Sequence, residues 1–296
     1  MKKRKKYNKI VSFLLLAVMI ISIVTIATPQ QVKAAGDKKF KGKGTSTVTI
    51  TDDECFKPIG YKDYVTQNYN YIKFKPGVTG YITIKITSNS NFDPSWCYGS
   101  IKFGENEINH SKGISSSFYA LSNHRPFHPY EYTRTYGVRK GKTYYFKVQS
   151  YGGIKIKATV TAVKKGTNNS RAKAKTLEKN ATVKGIILTD ENKVDWYKIK
   201  VTEKQKIKLI YNTKTSGFPN HTISPKEHDG IKITFCKSNG KPFSSDNNNY
   251  ILAEPGKSSG TSVISGKQTY IRPGIYYIKV ERNNEVSSGY YTLKWN

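Results

Sequence analysis

Asp195-Trp196-Tyr197-Lys198-Ile199-Lys200-Val201 is followed after a short turn by Lys206-Ile207-Lys208-Leu209-Ile210-Tyr211. Both runs alternate polar and apolar residues with period two, the pattern of a half-buried β-strand. A weaker copy of the pair stands about one domain earlier, at Tyr71 to Lys75 and Tyr81 to Thr87. In that copy the two runs flank a Pro76-Gly77 turn and read together as a hairpin. The repetition predicts an all-β chain of two similar domains.

Length and composition agree with that reading. A chain of 296 residues suffices for two domains, each burying its own core. Twenty-two Tyr, 12 Phe and 23 Gly against two Met are the vocabulary of strands and turns. Fifty basic residues against 20 acidic give a formal net charge of +30. Seven of the basic residues precede Ala35, so the remainder is near +23, divided almost evenly between its halves. Such a field favours anionic partners: cell-wall polymers, acidic polysaccharides or anionic lipid. Lysines that solvate outer strand faces and discourage edge pairing explain the same excess. No Lys/Arg block after the start of the chain resembles a nucleic-acid-binding arm, so no nucleic acid is expected as partner.

Residues 1–34 read as a secretory signal peptide, with a basic stretch from Lys2 to Lys9, an apolar run from Ile10 to Ala27, and Val32-Lys33-Ala34 before Ala35. The apolar run approaches the ~20 residues that span a bilayer, but Pro29 and the small residues favour cleavage. After cleavage no transmembrane segment is expected, and the product is secreted, extracellular or cell-wall-associated. Residues 35–43 form a Gly/Lys-rich lead-in, 44–163 a first β-sandwich, 164–170 a polar linker, and 171–296 a second sandwich. The first domain closes on Tyr144-Tyr145-Phe146-Lys147-Val148, which answers Tyr276-Tyr277-Ile278-Lys279-Val280 in the second. Order and spacing agree, as expected of an internal repeat.

Asn169-Ser170 with Ala172, Ala174 and Leu177, then Thr182-Val183-Lys184-Gly185, Asp195-Trp196-Tyr197, Pro273-Gly274-Ile275-Tyr276-Tyr277-Ile278-Lys279-Val280 and Ser288-Gly289-Tyr290-Tyr291-Thr292-Leu293 resemble the bacterial pre-peptidase C-terminal (PPC) domain family. The resemblance covers residues 168–296; residues 44–163 share only the central pair of runs and the closing strands. It implies a jelly-roll-like antiparallel β-sandwich, export and a non-catalytic role, and it is similar in fold to the collagen-binding domains of collagenases, some of which bind calcium. No peptidase domain accompanies it here.

No nucleophile–base pair, nucleophile elbow, phosphate loop or paired carboxylates stand out, so the expectation is a binding protein and not an enzyme. His124 and His128 are four apart, but Pro126 and Pro129 forbid the helix that would put them on one side. Asp190 and Asp195 bracket an acidic turn whose oxygens can hold Ca²⁺; turn and strand chemistry explains them equally well. A Cys55–Cys97 bridge is compatible with export, while Cys236 reads as a small apolar filler.

Parity assigns the faces. Tyr197, Ile199 and Val201 point inward if Trp196, Lys198 and Lys200 point out; Tyr144, Phe146 and Val148 likewise leave Tyr145 and Lys147 outside. The outward set Trp196, Lys198, Tyr277, Lys279, Tyr290, Tyr145 and Lys147 mixes rings with ammonium groups. Such a face suits stacking on an anionic or neutral glycan or on a matrix protein such as collagen. Cross-strand aromatic–Lys pairs also stabilise a sheet with no ligand, and such a face equally fits a structural subunit packed on a separate secreted enzyme.

Overall fold

The computed structural model describes residues 38–55, 69–89, 98–104, 114–119, 132–188, 194–215, 230–243, 250–253, 259–263, 270–283 and 287–296. The leader, Asp190, Cys97 and all five histidines lie outside them. Among the described residues no helix is long and apolar enough to cross a membrane.

Among the described residues, eighteen strands build four sheets. The first nine are β1 (Lys38–Phe40), β2 (Gly44–Ile50), β3 (Asn70–Phe74), β4 (Gly80–Ser88), β5 (Tyr98–Gly104), β6 (Ile114–Tyr119), β7 (Tyr132–Val138), β8 (Tyr144–Ser150) and β9 (Ile154–Ala162). They form sheet I, in the order β1-β3-β8-β5-β6, and sheet II, β2-β9-β4-β7. The second nine are β10 (Lys175–Thr176), β11 (Thr182–Ile187), β12 (Val194–Val201), β13 (Lys208–Thr215), β14 (Ile231–Cys236), β15 (Tyr250–Ala253), β16 (Ser259–Val263), β17 (Gly274–Arg282) and β18 (Gly289–Trp295). They form sheet III, β10-β12-β17-β14-β15, and sheet IV, β11-β18-β13-β16. Adding nine to each strand number of sheets I and II reproduces sheets III and IV, so the two sandwiches share one topology. Pairing is antiparallel except at one edge of each five-stranded sheet, where β1 runs parallel to β3 and β10 to β12.

Alternation explains the layers. In β8 every second residue, Tyr144, Phe146 and Val148, is fully buried, and in β9 Ile154, Ile156 and Ala158 face the same interior from sheet II. Phe103 stacks on Tyr136 at 4.4 Å and on Tyr144 at 5.2 Å, closing the first core. In the second sandwich Tyr197, Ile199 and Val201 of β12 and Ile278 and Val280 of β17 oppose Leu209 of β13 and Tyr291, Leu293 and Trp295 of β18. Trp295 keeps its polar atom satisfied by donating Nε1–H to the Leu177 carbonyl at 2.7 Å. Burying such side chains contributes roughly 1.5–3 kcal/mol each.

The hairpin expected of Tyr71–Lys75 and Tyr81–Thr87 does not form. β3 pairs with β1 and β8 in sheet I, whereas β4 pairs with β9 and β7 in sheet II. The turn between them crosses from one layer to the other, and its backbone groups bond elsewhere: Gly77 N–H donates to Gly42 O and Gly141 N–H to Pro76 O, both at 2.8 Å. The quoted runs at Asp195 and Lys206 separate in the same way, into sheets III and IV. Two alternating strands in sequence bury equally well side by side or face to face, and period alone does not choose.

Sheets II and IV meet at a small seam where Tyr81, Ile186 and Leu188 are buried with Val163 and Tyr290 beside them. The Tyr81 and Tyr290 rings lie 5.1 Å apart, and Lys214 Nζ sits 5.7 Å above Tyr81. Gly137 N–H donates to Ser288 Oγ at 3.1 Å across this seam, and a Cβ at 137 would collide with the Ile187 carbonyl oxygen. Residues 37–296 accordingly form one compact unit. Replacing Gly137 with Val is expected to cost about 1–3 kcal/mol by overpacking. In urea denaturation the parent is expected to unfold in one transition and the variant in two; a single transition for both would show that the seam does not couple the sandwiches.

Candidate functional site

The outer face of sheet III is built by register. On β12 and β17, Trp196 stands opposite Lys279 and Lys198 opposite Tyr277, so rings and ammonium groups alternate in a two-by-two lattice. The rings occupy one diagonal, edge to face with centroids 6.2 Å apart. Lys279 Nζ lies 5.9 Å from the Trp196 ring, and the Arg171 guanidinium 6.0 Å from Tyr277. Lys279 also pairs with Glu281 Oε2 at 2.6 Å. Ile275 extends the row and is 38% exposed. On the neighbouring strand β14, Cys236 stands opposite Tyr277; burial pushes its thiol up to about 11, so it stays protonated near neutral pH and is no nucleophile there.

Sheet I carries the same lattice. Tyr145 and Lys147 of β8 stand opposite Lys73 and Tyr71 of β3. Lys147 Nζ lies 3.6 Å from the Tyr69 ring centroid and 5.8 Å from that of Tyr71. By topology Tyr71 and Lys73 hold the places of Trp196 and Lys198. Neither is in the outward set derived from the sequence, although the weaker copy at Tyr71–Lys75 contained the signal needed to find them.

The structure thus brings Trp196, Lys198, Tyr277 and Lys279 together on sheet III and places Tyr145 and Lys147 on the corresponding face of sheet I. Tyr290 joins neither. It lies in the seam against Tyr81, where burial and then Tyr81 raise its phenol pKa.

Beneath Trp196 lies a buried polar network. Asp195, 2% exposed, accepts from Lys165 Nζ at 2.8 Å on one carboxylate oxygen and from Tyr291 OH at 2.7 Å on the other. Tyr291 and Tyr197 share a further hydrogen bond of 2.7 Å. Asn168 clasps the same strand, receiving the Trp196 N–H at 2.7 Å and donating Nδ2 to the Trp196 carbonyl at 3.0 Å. Both oxygens of Asp195 are therefore engaged by protein donors. Among the described residues no three His, Cys, Asp or Glu side chains gather in a way that would hold a metal ion. Cys55 is buried, its Sγ 3.3 Å from Ser150 Oγ.

No family profile and no curated protein matches the chain. Among solved structures it is similar to the pre-peptidase C-terminal domain of collagenase from Bacillus anthracis, at 17% identity over 46% of this chain and 100% of that one, with a TM-score of 0.28. Tripeptidyl peptidase 2 is similar at 10% identity over 87% of this chain and 24% of its own, TM-score 0.27. PNGase F, a glycosylasparaginase from Flavobacterium meningosepticum, is similar at 12% identity over 85% and 96%, TM-score 0.25. At these identities and scores none of the three bears on what this chain does.

Asp195→Ala strands the Lys165 ammonium, and in urea unfolding it is expected to cost about 3–5 kcal/mol. The double variant Lys165→Met, Asp195→Ala should cost less than Asp195→Ala alone, since no buried charge is then left unpaired. Burial, followed by the Asp195 carboxylate, pushes the Tyr197 phenol up to about 12, and burial with Tyr197 and Asp195 raises that of Tyr291 well above its ordinary value. Folded-state pKa values raised this way stabilise the protein fully below about pH 10, the value in the unfolded chain. That contribution is lost as pH climbs toward 12, so the urea midpoint should fall across this window, tracked by tyrosinate absorbance.

Proposed function

We propose that this chain is an exported, non-catalytic binding protein that takes a polysaccharide or an extracellular matrix protein such as collagen on the outer faces of its five-stranded sheets. The observation that carries the reading is the aromatic–lysine lattice of Trp196, Lys198, Tyr277 and Lys279. A sheet face with two rings held edge to face offers apolar area for sugar rings or peptide, and the Lys198 ammonium beside them meets polar groups of the ligand. The sequence resemblance of residues 168–296 to the PPC family is in keeping with such a role. Asp190 and Asp195 are not needed for it, and calcium is not invoked.

A second reading, a subunit that packs on a separate secreted enzyme or surface complex, is favoured by one feature. Ile275 continues the ring row as an exposed aliphatic side chain beside Tyr277, and apolar continuity of this kind suits a protein partner better than a sugar.

The test is binding of the full chain to immobilised neutral wall glycans and collagen over a salt series. Trp196→Ala and Tyr277→Ala are each expected to weaken binding roughly tenfold, the scale of an interface anchor, and to do so at high salt as well as low. Binding that vanishes at moderate salt and ignores both substitutions would reduce the face to charge alone.

A further inference from the structure

The two lattices have the same register but differ in charge and, at Thr234, which is buried where its counterpart Lys102 is not, in exposure. On sheet III, the position opposite Lys279 on β14 is Thr234, and the next outward residue along β17 is Glu281, which neutralises Lys279. On sheet I the corresponding residues are Lys102, opposite Lys147 on β5, and Gln149. At equivalent places a hydroxyl has become an ammonium and a carboxylate has become an amide.

The outcome is a row of two lysines and a ring, Lys102, Lys147 and Tyr71, across β5, β8 and β3, with Tyr145 and Lys73 in the row beside it. Neighbouring strands are about 4.8 Å apart, and like charges placed directly opposite one another destabilise a sheet. Partial burial, and then the charge of Lys102, pull the Lys147 ammonium below the ordinary lysine pKa. Among the described residues no carboxylate lies within ion-pair distance of Lys73, Lys102 or Lys147. A sheet that needed only solvation has no reason to oppose two lysines and omit the acid that its own counterpart carries.

We infer that the outer face of sheet I, centred on Lys102 and Lys147, is a binding site for an anionic polysaccharide. The inference rests on the binding reading above and assigns the charged ligand to the first sandwich, leaving ring stacking to Trp196 and Tyr277 on the second. Charge complementarity selects a polyanion. Lys102 and Lys147 take one carboxylate or sulfate between them, and Lys73 takes the next along the polymer. Tyr71 and Tyr145 supply the ring faces on which the intervening sugars lie. A lipid surface fits less well, since the exposed large apolar side chains among the described residues, Tyr270 and Ile275, both belong to the second sandwich.

The experiment measures binding of the full chain to fluorescein-labelled heparin and polygalacturonate from about 50 to 400 mM NaCl, with dextran as the neutral glycan. Polyglutamate and anionic phosphatidylglycerol vesicles serve as alternative anions. Lys102→Gln with Lys147→Gln keeps both side-chain stems and relieves the repulsion, so the urea midpoint should equal or exceed that of the parent. This pair should weaken heparin and polygalacturonate binding by tenfold or more at low salt, and reduce the slope of log K against log salt by about one per lysine, as release of condensed counterions requires. Lys155→Gln with Lys157→Gln, an equal change of charge at exposed positions of β9 in sheet II, should shift affinity less than twofold.

The inference is overturned if both pairs weaken binding equally, if the Lys102, Lys147 pair leaves it unchanged, or if polyglutamate or vesicles bind as tightly as the polysaccharides. Loss of dextran or collagen binding in Trp196→Ala tests the reading of sheet III alone, so the two claims fail separately.

Discussion

An ion pair between the half-buried Lys165 and the buried Asp195 ties the connection between the sandwiches to the second of them. Lys165 belongs to the connection between the sandwiches, Asp195 opens β12 in sheet III, and Tyr291, which donates to the other oxygen of Asp195, comes from β18 in sheet IV. One carboxylate thus holds the connection and both layers of the second sandwich. Removing two charges from water is costly, so such a pair is weak evidence for net stability but a strong device for fixing one arrangement, because any slip leaves an ion unpaired. Gly185 completes the device: it pairs with Tyr291 across β11 and β18, and a Cβ there would occupy the space of the phenol ring. The register that brings Asp195 to Lys165 also presents Trp196 on the opposite face.

The two sandwiches keep one topology and one inward pattern but have diverged outside. Many inward exchanges conserve apolar character, such as Phe146 for Ile278, whereas the buried Asn70 of the first sandwich stands where the second has Asp195. On the outward side, Lys102 and Gln149 stand where the second sandwich has the buried Thr234 and Glu281, so each position differs by one unit of charge. Packing constrains the first kind of change, and little in the fold constrains the second. Where a fold leaves residues unconstrained, their chemistry is the better guide to what the surface meets.

Much of this was legible in the sequence, for a definable reason. Period two with one wet face assigns inward and outward residues strand by strand, and Tyr197, Ile199, Val201, Tyr291, Leu293 and Trp295 are buried as parity requires. Parity is blind to which sheet a strand joins, which is why Tyr71–Lys75 and Tyr81–Thr87 read as a hairpin. It is blind also to what covers an outward residue: Tyr290 points out of its own sandwich and into the seam. Local composition misleads at residues 164–170, which are polar like an open linker, although Lys165 and Asn168 have buried partners distant in sequence. Parity within the weaker copy at Tyr71–Lys75 marks Tyr71 and Lys73 as outward, while setting them against Lys147 and Tyr145 took the register of β3 on β8.

The central claim is that the sandwich interiors and the Asp195 network are scaffold, and that the outer faces of sheets I and III do the binding. Backbone amide shift perturbation on titrating the protein with heparin and with collagen peptide tests it most directly. The account predicts perturbations clustered on β3, β5 and β8 and on β12 and β17, with β2, β9, β11 and the seam around Tyr81 silent. Perturbations centred on the seam or on sheets II and IV, with Lys147 and Trp196 unmoved, would contradict it.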